Sequence, residues 1–112
     1  MPSQSSSGSQ ACTVTTEHSL VTTTTAGTYL LRLDFNAAVE GTTPDRFRVQ
    51  AKTKTLSSST ARYEQDYSFE GNQYLDNFST DPICIVHSLE YTLTQTTGTS
   101  RTVDWSLVRV DV

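Results

Sequence analysis

Asp45-Arg46-Phe47-Arg48-Val49-Gln50-Ala51-Lys52-Thr53-Lys54-Thr55 is the stretch that decides the fold. Phe47, Val49, Ala51, Thr53 and Thr55 fall on one side of an extended chain, and Arg46, Arg48, Gln50, Lys52 and Lys54 on the other. A period of two over residues 45–55 predicts a strand with one face in a core and one in water. The wet face holds Arg46, Arg48, Lys52 and Lys54, four of the chain's eight basic residues, in a single stripe.

The same period extends to either side. A hairpin-sized loop, residues 56–60, leads to Tyr63, Gln65, Tyr67 and Phe69 alternating with Arg62, Glu64, Asp66 and Ser68, a return strand. If the two strands pair, Glu64 and Asp66 face Arg48, Lys52 and Lys54, and each opposite-charge pair stabilises by a few tenths of a kcal/mol. The stripe then reads first as a solvated sheet face and second as a binding patch. Upstream, Tyr29, Leu31, Leu33 and Phe35 alternate with Leu30, Arg32 and Asp34. A polar break at residues 36–44, with Gly41 and Pro44, follows as a turn. Earlier still, Cys12, Val14 and Thr16 alternate with Thr13, Thr15 and Glu17, and a threonine run ends at Gly27, predicting one or two short strands.

Downstream, residues 71–81 read as a long connection crossing between two sheets, anchored by Tyr74, Leu75 and Phe78, with Tyr74 and Phe78 free to serve an interface. Residues 83–95 read as one strand with His87, Leu89, Tyr91 and Leu93 inward. Residues 96–100 form a loop in which Gly98 takes a positive φ. Over residues 101–112, Val103, Trp105 and Leu107 share a face, but Val108, Val110 and Val112 sit on the other, so a bulge or a change of burial is expected near Leu107. Trp105, Phe35, Phe47 and Leu89 are expected in the core. Residues 1–10 carry five serines, two glutamines, a glycine and a proline, a stretch that cannot bury itself. The fold class is therefore all-β: a single antiparallel β-sandwich or jelly roll of about seven to eight strands over residues 11–112, with a Ser-rich N-terminal arm at residues 1–10 that is either disordered or straps a neighbouring subunit. Ser5, Ser6 and Ser7 are its interface candidates.

At 112 residues there is room for one core. Ser and Thr make up close to a third of the chain, and strong helix formers are sparse. A formal charge of −4 argues against nucleic acid as a partner. No apolar run approaches the roughly 18 residues of a membrane span, and the opening lacks the regions of a signal peptide, which predicts no membrane partner and synthesis in a cytoplasm. Cys12 and Cys84 show no metal spacing and read as reduced, packed thiols, with a bridge open if their strands adjoin.

Catalysis finds little purchase. The histidines are His18 and His87, the first read as a strand end and the second as a hydrogen-bonded core or interface residue. Glu64, Asp66 and Glu70 could supply paired carboxylates, but cross-strand pairing with the basic stripe accounts for them more simply. No metal-ligand spacing and no glycine-rich phosphate loop is present. The expectation is a non-enzyme with no catalytic residues, no metal and no cofactor. Exposed tyrosines among Tyr63, Tyr67, Tyr74 and Tyr91, with Trp105, are the candidates for stacking on sugars.

The segment Tyr91-Thr92-Leu93-Thr94-Gln95-Thr96-Thr97-Gly98-Thr99-Ser100-Arg101-Thr102-Val103-Asp104-Trp105-Ser106-Leu107 resembles the closing hairpin of small virion proteins of tailed bacteriophages. The similarity extends to Thr16-Glu17-His18-Ser19-Leu20 and to residues 49–57, and so spans roughly residues 15–110. The resemblance implies a structural virion component, most simply a capsid decoration or cement protein that bridges neighbouring major capsid proteins and sibling copies. It would be made in the host bacterial cytoplasm and reside in the virion. Within the hairpin, Gly98 would make the turn, Arg101 and Asp104 would hold it, and Trp105 would plug the core. A tail, neck or adaptor component, and a carbohydrate-binding β-sandwich module, are the alternatives.

Overall fold

The computed structural model describes residues 3–35, 45–70 and 77–111. Nine strands lie among them: β1 (Ser3–Ala11), β2 (Glu17–Thr23), β3 (Gly27–Asp34), β4 (Arg46–Thr53), β5 (Arg62–Glu70), β6 (Asn77–Ser79), β7 (Ile83–Ile85), β8 (Leu89–Thr97) and β9 (Thr102–Arg109). They form two antiparallel sheets. One runs β1-β9-β3-β6, with β7 also on β3, and the other β2-β8-β4-β5. β6 and β7 take successive stretches of β3, Arg32–Asp34 and Gly27–Tyr29.

The alternation read from the sequence is what builds the core. Tyr29, Leu31 and Leu33 of β3, with Phe35 just beyond, are buried with Phe47, Val49 and Ala51 of β4 and Leu89, Tyr91 and Leu93 of β8 in one cluster drawn from both sheets. Each fully buried large side chain stabilises by roughly 1.5–3 kcal/mol. The sheets touch through Phe35 and Phe47, ring centroids 4.9 Å apart, and through Tyr67 and Phe78, edge to face at 5.4 Å. Ile83 and Ile85 of β7 join the same core.

Several expectations are corrected. There are nine strands among the described residues, not seven to eight, for two reasons. Residues 83–95 are not one strand: they bend at residues 86–88, so that β7 ends in one sheet and β8 begins in the other. In addition, Ser3–Ala11, expected to lie outside the domain as an arm, is edge strand β1, paired with β9 from Ser3↔Arg109 to Ala11↔Thr102. Backbone pairing needs no apolar side chains, which is how so polar a segment enters a sheet. Trp105 is half-buried rather than a core plug. It lies over Gly8, where an added Cβ would sit 3.0 Å from Trp105 Cζ2, so the ring covers the strand at the one residue without a side chain. The irregularity expected near Leu107 falls in its partner, as a register shift between Gln4 and Ser6 opposite Leu107 and Val108.

Beyond β6 the backbone leaves the ladder and Thr80 takes its place. Thr80 N–H donates to Leu31 O at 3.0 Å, Leu31 N–H donates to Thr80 Oγ1 at 3.0 Å, and the Tyr91 hydroxyl sits 3.4 Å from the same oxygen. Burial pushes the Tyr91 phenol up to about 12 from its ordinary 10.0. A raised folded value favours the protonated phenol, so the contribution is intact below pH 10 and is lost as pH rises toward 12. In urea unfolding followed from pH 9 to 12, the natural chain should therefore lose on the order of 2–3 kcal/mol more than Tyr91→Phe. Parallel pH profiles for the two proteins would contradict this role for Tyr91.

Candidate functional site

The basic stripe lies on the outer face of the β2-β8-β4-β5 sheet, where its charges are largely met within the chain. Arg48 forms a bidentate pair with Asp66, Nε to Oδ1 at 2.9 Å and Nη2 to Oδ2 at 2.6 Å. That contact holds the Asp66 carboxyl below its usual range and raises the guanidinium, although both groups are close to half exposed and water screens the pair. Lys52 lies 3.9 Å from Glu17 Oε1 and sits over the Tyr63 ring, 4.8 Å from its centroid. Lys54 is half-buried beside a cleft also lined by Cys84 and Val86, and Arg46 is exposed at the start of β4.

Glu17 organises this face, and sequence reasoning did not single it out. Its Oε2 accepts from Tyr63 Oη at 3.1 Å and from Thr92 Oγ1 at 2.9 Å. With the Gln50 amide turned so that its nitrogen meets Glu17 Oε2 at 3.3 Å, the oxygen accepts from Arg48 Nη2 at 3.2 Å. One carboxylate on β2 thus reaches side chains of β8, β4 and β5. No local motif could have revealed it, because its partners stand far away in the chain. Tyr63 was expected inward with Gln65 and Tyr67. A register shift between Ala51 and Lys52 places it opposite Lys52 instead, on the outer face. Glu64, from the same strand, accepts from Thr53 Oγ1 at 2.7 Å.

The outer face of the other sheet carries a shallow groove of about 420 Å³. Ser7, Ser9, Arg32, Asp34, Asn77 and Asp104 line it. Register sets Asp34 directly opposite both Asp104 and Asn77, and Ser9 Oγ donates to Asp104 Oδ1 at 2.5 Å.

The third constellation is the β8–β9 connection. Because β8 and β9 belong to different sheets, residues 98–101 form an arch between sheets, not the closing hairpin expected from the sequence. Strands joined by an arch share no ladder, and the backbone groups inside it need other partners. Fully buried Gln95 supplies them: Nε2 donates to Thr97 O at 3.1 Å and Thr99 O at 2.8 Å, and Oε1 accepts from Arg101 N–H at 3.0 Å. Buried Asp45 clamps the far side, accepting from Thr99 N–H at 3.0 Å and from Arg101 Nε at 2.9 Å. Gly98 takes φ 100°, as expected, and a Cβ there would strike Asp45 Oδ1. Arg101 thus holds the arch through Asp45, while Asp104 turns away to Ser9.

The remaining candidates are dispersed. Ser5 and Ser7 are exposed on β1, and Ser6 is half-buried. Phe78, expected at an interface, is buried in the core opposite Leu33. Tyr74 lies outside the described residues. His18 Nε2 accepts from Thr13 N–H at 3.1 Å and so caps the β1–β2 turn, and His87 is half-buried in the bend before β8. Cys12 and Cys84 are both free. Burial raises the Cys12 thiol, whereas Cys84, expected to be packed, is exposed with Sγ 3.1 Å from Thr28 Oγ1. Among the described residues no group of three His, Cys, Asp or Glu is placed to hold a metal ion. Compared with known protein families, with curated proteins and with solved structures, the chain matches none.

Gln95→Leu keeps the volume but strands two carbonyls and an N–H in the arch, which predicts a loss of roughly 3–5 kcal/mol in denaturant unfolding. Gly98→Ala should destabilise by about 2 kcal/mol or more through its backbone conformation and the Asp45 contact. Near-neutral values for both would mean that the arch is held by something else.

Proposed function

We propose that this chain is a non-enzymatic structural component of a virion, a capsid decoration or cement protein that bridges neighbouring major capsid proteins. The observation that supports the architecture behind this reading is the strand order. Among the described strands, six of the eight connections change sheet, and only β4–β5 pair as neighbours in sequence. The orders β1-β9-β3-β6 and β2-β8-β4-β5 support a jelly roll, an architecture that recurs in viral capsid and lectin domains. Architecture alone does not assign a role. The choice of a virion rests on the resemblance over residues 91–107, whose Gln95, Gly98, Thr99 and Arg101 all serve the arch. Weighing the protein against the major capsid protein in purified particles by quantitative mass spectrometry tests it. Hundreds of copies, with weakened shells when the protein is missing, are expected. A few dozen copies or fewer would instead place the chain at the tail or neck, and absence from particles would overturn the reading.

The outer groove favours a second reading, carbohydrate binding. Its carboxylates, amide, guanidinium and hydroxyls are the groups that hydrogen-bond vicinal sugar hydroxyls. Stacking support is thin: Tyr63 is 53% exposed, but Lys52 covers one face of its ring, and Tyr91 is buried. A glycan array on which binding is lost in Asp104→Ala would favour this reading, and an array with no signal would remove it.

A further inference from the structure

We propose that the free edge of β1 is a self-association edge, through which two copies of this chain pair β1 with β1, antiparallel across a two-fold axis, to join two sheets into one. The inference rests on the edge itself and stands whether or not the chain belongs to a virion.

An edge strand offers a row of unpaired N–H and C=O groups, and natural proteins blunt such rows with charges, proline, bulges or short length. The other edges here are blunted in these ways. β5 carries Arg62, Glu64 and Asp66. β2 carries Glu17 and His18 and shifts register between Ser19 and Val21. β6 and β7 are three residues each. β1 differs from all of them. Over nine residues, Ser-Gln-Ser-Ser-Ser-Gly-Ser-Gln-Ala, it has no charge and no proline. Its one register shift lies near its start, between Gln4 and Ser6, and leaves the pairing regular from Ser6 to Ala11. β9 takes one side of the strand, and among the described residues no strand pairs with the other.

The sequence of this edge also suits a copy of itself. Gln4-Ser5-Ser6-Ser7-Gly8-Ser9-Gln10 reads nearly the same in both directions about Ser7. A two-fold axis at Ser7 therefore sets Gln4 against Gln10, Ser5 against Ser9 and Ser6 against Gly8, with no like charges opposed and with hydroxyls able to bond across the seam. The pairing is isologous, so it closes at two copies and does not propagate. Register on the β9 side is already pinned by Trp105 over Gly8 and by Ser9 bonded to Asp104, so the edge is presented in a fixed position.

Sedimentation equilibrium of the full chain through the micromolar range should show a dimer. Ser7 is exposed, and Ser7→Lys brings two like charges together at the seam, which should weaken association by about tenfold or more while far-UV circular dichroism stays unchanged. Ser7→Glu should do the same, and an equimolar mixture of the two variants should restore the dimer. Hydrogen exchange of the natural chain supplies a readout without substitution, since amides of β1 should slow as concentration rises. A natural chain that stays monomeric, folded variants that remain dimers, or concentration-independent exchange in β1 would each overturn the proposal.

Discussion

The buried carboxamide of Gln95 holds the arch by which the chain passes from one sheet to the other between β8 and β9. A chain whose described strands change sheet at six of eight connections must repeatedly leave one hydrogen-bonded ladder before it reaches the next. At the β8–β9 arch the carbonyls of Thr97 and Thr99 have no ladder partner, and the buried Gln95 amide takes both. Gln95 acts there as a short piece of surrogate ladder, and its main-chain carbonyl accepts from Thr15 N–H at 2.7 Å, which extends the arrangement to the β1–β2 turn. Thr15 holds φ 72°, an uncommon conformation for a β-branched residue, and that hydrogen bond fixes it. Asp45, at the start of β4, ties a third region to the same point. Three sheet crossings thus meet at two residues, the β8–β9 arch and the Asp45 region through the Gln95 and Asp45 side chains and the β1–β2 turn through the Gln95 main chain.

Much of this was legible in the sequence wherever one face of a strand is dry. Tyr29, Leu31, Leu33 and Phe35, and Phe47, Val49 and Ala51, alternate because each meets the opposite sheet, and all are buried. What stayed hidden has a common cause: a period of two reports which face is dry, not which sheet the strand belongs to. Ile83, Ile85, Leu89 and Tyr91 keep one parity across a change of sheet, so nothing marked the break at residues 86–88. Gly98 would serve a hairpin or an arch equally well. Tyr63 escaped because one extra residue in β5 reverses every face beyond it. β1 was invisible for the opposite reason, since a strand held by its backbone has no hydrophobic pattern to show.

The candidate surfaces were harder to read than the core. Arg48 and Asp66 could be paired in advance because their strands form the one sequential hairpin. Glu17 could not, since its partners are set by strand order. Phe78 reads as a loop aromatic until β6 is seen to pair with β3, which turns the ring inward against Tyr67. The groove beside Asp34 and Asp104 likewise exists only because β9 lies next to β3. Short-range chemistry is therefore written in the sequence, and long-range chemistry waits on topology.

That topology also orders events in time. β8 lies between β2 and β4, and β9 between β1 and β3, so the last two strands of this domain in chain order take internal positions in each sheet. While they are still being synthesised, β1 and β2 have no neighbour to pair with, and among the described strands only the β4–β5 hairpin and the longer-range pairings of β3 with β6 and β7 are open. Closure of both sheets is then a late event, and until it happens the inner faces of β3 and β4 have no β8 or β9 beside them. A cell making many copies would have to keep these unfinished chains apart until the final strands emerge.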